Sequence, residues 1–101
     1  MIIKQLKITS INDFMVKNGG AAFFDRDGTI NIDFGHVYRK KDLVFVDNIP
    51  EIICQYNRMK IPVIVVTNQA GIAKGLYTEE DMHRFHQYMN KCLLMDHNAH
   101  I

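Results

Sequence analysis

Two short runs made wholly of apolar residues, Ala21-Ala22-Phe23-Phe24 and Val63-Ile64-Val65-Val66, constrain the fold more than any other feature of this chain. Neither alternates, and an unbroken apolar run of this length is the pattern of a strand buried on both faces, as in a parallel sheet. Between them Ile49, Ile52, Ile53, Tyr56 and Met59 recur at helical spacing. That helix opens near Asp47-Asn48-Ile49-Pro50-Glu51, where an early proline costs no hydrogen bond, and ends near Lys60-Ile61-Pro62. Strand, helix and strand in this order make a βαβ unit, whose strands are parallel.

Residues 30–46 place Ile30, Ile32, Phe34 and Val37 among polar and glycine positions and then run Leu43-Val44-Phe45-Val46, which predicts a small hairpin or flap. After the second apolar run comes a turn rich in small residues, Asn68 to Gly75. Thr78 followed three residues on by Asp81 predicts a capped helix to about Met95, with Met82, Phe85, Met89, Cys92 and Leu93 on its buried face. The tail from Asp96 to Ile101 reads as short and polar. Residues 1–18 show no clean period and end in Asn18-Gly19-Gly20, so residues 1–20 are read as a leader or linker and residues 21–101 as the domain. The class is α/β. With two core strands, where a doubly wound open sheet has about four to six, the chain supplies the N-terminal half of such a Rossmann-like sheet.

The balance of 12 basic against 11 acidic residues, a formal charge of +1, leaves no electrostatic footprint for nucleic acid or an anionic membrane. Any anion must be bound locally. Charges break up the N-terminal Met1-Ile2-Ile3-Lys4-Gln5-Leu6-Lys7 before a signal-peptide core forms, and no apolar run approaches the roughly 18 residues of a membrane span. Cys54 and Cys92 form no C-x-x-C and fit reduced thiols. The expected location is the cytoplasm, with neither a nucleic-acid nor a membrane partner.

The chemistry is concentrated in Phe24-Asp25-Arg26-Asp27-Gly28-Thr29, where a buried strand delivers two carboxylates at its carboxyl end, the edge at which open α/β sheets hold ligands. Gly28 lets the backbone turn sharply, so that residues two apart converge on one hard divalent cation such as Mg²⁺. Asp25, nearest the strand, suits a nucleophile that attacks phosphorus, and Asp27 an acid that protonates the leaving oxygen and then a base towards water. A bare D-x-D-G is equally at home in a hairpin turn; a calcium loop is excluded because Ile30 and His36 stand where that template needs Gly and Glu. Thr67-Asn68 at the end of the second strand offers a hydroxyl and backbone N–H groups to phosphate oxygens, and the two signals at this separation are far more specific than either alone.

Asp25-Arg26-Asp27-Gly28-Thr29-Ile30 together with Thr67-Asn68-Gln69 resembles the first two motifs of the haloacid-dehalogenase-like (HAD-like) phosphatases. Asp33-Phe34-Gly35-His36-Val37 and the Gly71-Ile72-Ala73-Lys74-Gly75 loop resemble the branch of that family acting on D-glycero-D-manno-heptose 1,7-bisphosphate; its histidinol-phosphate relatives share the Asp25-Arg26-Asp27-Gly28-Thr29 core and are the alternative, with the loop favouring heptose. The resemblance implies Asp25 as nucleophile and metal ligand, and Asp27 as acid/base whose carbonyl also meets Mg²⁺. Thr67 and Asn68 would steady the phosphate, and Arg26, Asp33, Phe34, Gly35, His36, Gln69 and Ala70 would line a sugar-phosphate site. It implies a hydrolase of carbohydrate metabolism in heptose supply for lipopolysaccharide, with an aspartyl-phosphate intermediate. The family's later motifs, namely a basic residue, a further acidic metal ligand and the branch's Zn²⁺-binding Cys/His loop, would fall beyond Ile101, so the chain by itself is expected to be nearly inactive.

Three other readings weigh less. A receiver domain that accepts phosphate needs an acceptor aspartate where the second strand ends in Thr67. An inactive truncated fragment is favoured only by the missing half. His83 and His86, three apart on a helix, and His97 and His100 in the tail read as solvated side chains rather than metal ligands, and Lys74 as an exposed loop lysine.

Overall fold

Both apolar runs form strands, and they lie side by side and parallel in the computed structural model, which describes residues 3–4 and 20–101. In chain order the elements are β1 (Ile3–Lys4), β2 (Ala22–Asp25), α1 (Ile49–Arg58), β3 (Val63–Val66), a single helical turn α2 (Ala70–Ala73) and α3 (Glu79–His97). The sheet order is β1-β3-β2. Phe23 stands opposite Ile64 and Asp25 opposite Val66, while Ile3 stands opposite Val65.

Two sequence expectations shift here. The segment read as a leader contributes a third parallel strand through Ile3–Lys4, an element too short to carry any periodicity; Asn18-Gly19 of the predicted hinge lies outside the described residues. Secondly, only β3, flanked on both sides, is buried along its first three residues, whereas β2 lies at the edge of the described sheet and is half-buried up to the exposed Asp25.

Helix α1 carries proline at its second position and buries Ile49, Pro50, Ile53 and Cys54. Ile52 and Met59, read as part of its inner stripe, are exposed. Lys60 in the left-handed conformation (φ 59°) and the Ile61 N–H donating to Tyr56 O at 3.0 Å stop the helix. The predicted flap is present: Ile32 N–H donates to Val44 O at 2.7 Å and Val46 N–H to Ile30 O at 2.8 Å, around a 3₁₀ turn at Lys40–Asp42. Ile30 and Val37 root it in the core.

Helix α3 opens on the expected capping box, with Asp81 N–H donating to Thr78 Oγ1 at 3.0 Å and Thr78 N–H to Asp81 Oδ2 at 2.9 Å. Phe85, His86, Met89 and Leu93 form its buried face, with Met82 and Cys92 half-buried. The tail is not the solvated end that its polarity suggested. After Asn98 turns left-handed (φ 52°), Ala99 and Ile101 enter the core. The backbone there is held by His100 N–H on Asn57 Oδ1 (2.8 Å) and Ile101 N–H on Asn90 Oδ1 (2.9 Å). Side-chain amides on α1 and α3 do this pinning, a pattern without local sequence signature.

Candidate active site

Because β2 and β3 are parallel neighbours in register, Asp25 and the residue after Val66, Thr67, leave the sheet at the same edge. Beyond Asp25 the chain turns at once. The carbonyl of Arg26 accepts from the N–H groups of Thr29 (3.2 Å), Ile30 (2.8 Å) and Asn31 (3.2 Å), and Gly28 at φ 84° closes the loop by donating to Asn31 O at 2.8 Å. This conformation, forbidden to most residues, brings Asn31 back to Asp27.

The Asp27 carboxylate is held asymmetrically. Oδ1 accepts from Arg26 Nε (3.1 Å), Arg26 Nη2 (2.8 Å) and Asn31 Nδ2 (3.1 Å); from the described residues Oδ2 accepts one bond, from Arg26 Nη2 at 3.0 Å. The first oxygen is saturated and the second retains lone pairs.

Arg26 corrects the expectation of a substrate-binding side chain. It is 1% exposed, and its guanidinium donates to Val37 O at 2.7 Å, meets His86 Nε2 at 3.2 Å and lies 5.0 Å from the centre of the Phe85 ring. A buried cation needs a partner within its first shell, and the adjacent Asp27 supplies it. His86 is the second correction: read as solvated, it is 1% exposed, whereas His83, His97 and His100 are not buried. Burial, with the Arg26 and His83 charges adding, pushes the His86 imidazole down to about 3, so it is neutral.

Asp27, Asp33, Gly35, His36, Asn68, Gln69, Ala70 and Tyr77 line one cleft of about 310 Å³. The structure therefore brings together the two segments read as a sugar-phosphate site, 33–36 and 68–70. Asp33 shapes its loop by accepting Gly35 N–H at 2.9 Å. Phe34, also expected in the site, is 62% exposed and outside the lining. Asp25 sits exposed at the strand end, two residues before Asp27 and outside the lining. A larger hollow of about 450 Å³ at the amino end of β3, lined by Asn57, Lys60, Ile61, Pro62, Val63, His100 and Ile101, holds no carboxylate side chain, so size does not mark the site.

Thr67 is 6% exposed and accepts a hydrogen bond from Gln69 Nε2, while Gln69 Oε1 accepts from the Tyr77 hydroxyl. With a donor already on its oxygen, the Thr67 hydroxyl has its own proton to donate. Tyr77 was missed in the sequence. It stacks on Tyr38 with centroids 4.8 Å apart and planes 13° from parallel. Burial pushes its phenol up, with Arg26 opposing and Asp27 adding, so it stays a donor. An aromatic residue immediately before a helix cap was its only sequence signal.

Parallel strands deliver Asp25 and Thr67 to one edge, and Asp33, Gly35 and His36 of the flap line the cleft that Asp27 shares. Over 80% of this chain the fold superposes on a HAD-like phosphatase from Mesorhizobium loti with a TM-score of 0.74 at 33% identity, covering 38% of that chain. It matches the fold of D,D-heptose 1,7-bisphosphate phosphatase from B. bronchiseptica, complexed with magnesium and phosphate, with a TM-score of 0.72 at 22% identity, covering 45% of that chain. In sequence it is 41% identical over 70 residues to a D-glycero-beta-D-manno-heptose-1,7-bisphosphate 7-phosphatase of Photorhabdus laumondii, 69% of this chain and 37% of that protein. A Helicobacter pylori protein of the same name is 37% identical over 82 residues, 81% of this chain and 47% of that protein. No protein-family profile matches the chain. The chain is thus similar in sequence to D-glycero-beta-D-manno-heptose-1,7-bisphosphate 7-phosphatases and in fold to HAD-like phosphatases, and it spans less than half the length of these relatives.

Proposed function

We propose that this chain supplies the phosphoryl-transfer half of a Mg²⁺-dependent phosphatase that releases phosphate from the 7-position of a heptose 1,7-bisphosphate. The observation that carries the reading is the placement of Asp25 and Thr67 at one sheet edge, from which the chain runs on to Asp27 and Asn68 in a cleft shared with the 33–36 and 69–70 segments. The names of the relatives support the sugar substrate, and the relative of known structure bound to magnesium and phosphate supports the metal.

The residues fit a hard cation in one particular way. Arg26 and Asn31 saturate Oδ1 of Asp27, and the resemblance assigns Mg²⁺ to the Asp25 carboxylate and the Asp27 carbonyl, which would hold it together with water and a substrate phosphate. The ion masks phosphate charge and so permits approach by an anionic nucleophile.

Asp25 attacks phosphorus in line, forming an Asp25–O–P bond as the sugar oxygen leaves with a proton from Asp27. Its saturated Oδ1 makes Oδ2 the atom that carries this proton. Thr67 donates its hydroxyl to a phosphoryl oxygen. Water, deprotonated by Asp27 Oδ2, then attacks phosphorus and frees Asp25 and inorganic phosphate. Asp33, Gly35, His36, Gln69 and Ala70 face the sugar from the cleft walls. We place the reaction in the cytoplasm, in heptose supply for the bacterial envelope; among the described residues no helix is long and apolar enough to cross a membrane.

The test joins residues 1–101 to the part of the Photorhabdus laumondii relative that they do not match, and measures phosphate release with Mg²⁺ from heptose bisphosphate and from histidinol phosphate. A higher kcat/KM for heptose bisphosphate is expected; preference for histidinol phosphate overturns the substrate, and release from neither overturns the activity.

A further inference from the structure

His86 makes a contact that a guanidinium allows in only one form. Arg26 Nη1 has protons and no lone pair, so at 3.2 Å the Nε2 of His86 must be the acceptor. The ring is then neutral and carries its proton on Nδ1, in agreement with its depressed basicity. That Nδ1–H is buried and finds no partner among the described residues. An unsatisfied buried donor costs stability, which an apolar residue at this place in the core would not incur. What the histidine adds is its Nε2 lone pair.

The lone pair acts on a guanidinium whose other edges are already fixed. Nε and Nη2 face Asp27, Nη2 also reaches Val37 O, and Cζ lies over the ring of Phe85, the residue before His86 on α3. Phe85 holds the cation by its face, but a ring face does not set rotation within the plane. The Asp27 and Val37 bonds act from one side of that plane; Nη1 is the remaining corner, and His86 is the partner that holds it from the other.

We propose that His86 is a positioning residue for the acid/base carboxylate: its Nε2 lone pair locks the Arg26 guanidinium in the rotation that saturates Oδ1 of Asp27 and leaves Oδ2 open. The part played by Asp27 rests on the function proposed above; the lock itself does not, and is measurable without substrate.

The experiment is ¹⁵N NMR of the 101-residue chain at neutral pH, with His86→Leu and His86→Gln beside it. In the parent chain the proton resides on Nδ1 of His86. The Arg26 Nη1 protons exchange at least about tenfold more slowly than in His86→Leu, as expected for loss of one charge-assisted bond. His86→Gln, whose side-chain oxygen accepts from Nη1, restores slow exchange. A proton on Nε2 in the parent overturns the proposal. So does unchanged Arg26 exchange in a His86→Leu chain that still melts cooperatively, or fast exchange in a folded His86→Gln chain. If His86→Leu does not fold, the parent tautomer and the glutamine variant decide. Failure of the phosphatase reading appears separately, as absence of phosphate release from the joined protein.

Discussion

Gly71 lies directly against Tyr77: a methyl group on Gly71 would stand 2.3 Å from ring atom Cε1 of Tyr77 and 3.0 Å from Nδ1 of His36. The ring cannot simply swing aside, because it is stacked on Tyr38 and its hydroxyl is bonded to Gln69. Gly71→Ala is therefore expected to destabilise the chain by about 1–3 kcal/mol through overpacking and to displace both walls of the cleft at once. Urea denaturation reads the first effect; altered ¹H shifts of Tyr77 and His36 read the second. A fully stable Gly71→Ala chain with unchanged shifts would show that the contact is loose.

Tyr77→Phe separates the phenol from its ring. Stacking on Tyr38 survives, but Gln69, 5% exposed, loses the donor to its Oε1. The cost in stability is roughly 1–3 kcal/mol, that of a buried acceptor left unpaired. With Gln69 free to turn, its hold on the Thr67 oxygen weakens, and kcat of the joined protein is expected to fall by up to about tenfold. Steady-state kinetics check this, and a loss confined to KM would place Tyr77 in substrate binding instead.

The legible and illegible parts of this fold differ in how local their causes are. The runs 21–24 and 63–66, the helix between them and the Thr78–Asp81 capping box each state their structure within a few residues, and each is where it was expected. From strand order alone it followed that Asp25 and Thr67 share an edge. Burial of Arg26 and His86 was not legible, because an arginine between two aspartates reads as a substrate-binding side chain, and a histidine on a polar helix as solvated, until tertiary contacts supply Val37 O and the Phe85 ring. The tail failed for the same reason: Ala99 and Ile101 are isolated apolar residues whose burial depends on Asn57 and Asn90, distant in sequence. In the cleft, Tyr77 belongs to the loop after α2, and only folding reveals that it closes on Gln69.

His86 also predicts how stability responds to pH. Its folded-state value of about 3 lies below its ordinary 6.5, because burial foremost, then the Arg26 and His83 charges, disfavours the imidazolium. As pH falls the unfolded chain takes up this proton first. The native state is thus at full advantage above about pH 6.5 and loses it as pH drops towards 3, with a limiting slope of about 1.4 kcal/mol per pH unit. Carboxylates titrate in the lower part of this window, so the informative quantity is the difference between the parent and His86→Gln. Between about pH 5 and 6.5 the parent's free energy of unfolding should fall more steeply with acid than the variant's. Parallel curves would mean that His86 titrates in the native state as an exposed histidine does.

Asp25 is the residue on which the mechanism depends most. In the mechanism proposed above residues 1–101 offer a cation only the Asp25 carboxylate and the Asp27 carbonyl, and among the described residues no group of three or more His, Cys, Asp or Glu side chains stands ready to hold one. The isolated 101-residue chain is therefore expected to bind Mg²⁺ weakly and to release phosphate at background rate, whereas the joined protein is expected to turn over. In the joined protein Asp25→Asn removes the attacking oxygen and should lower kcat by at least about a thousandfold. Asp27→Asn leaves the nucleophile but takes away the proton carrier, slowing turnover by roughly 10²–10⁴. Because water attack then lacks its base, a phosphoryl group should accumulate on Asp25 when a substrate with a good leaving group is supplied. Acid quench and peptide mass spectrometry locate that adduct. Its presence on Asp25 in Asp27→Asn and absence in Asp25→Asn is the expected result, and an adduct on any other residue removes Asp25 from the role of nucleophile.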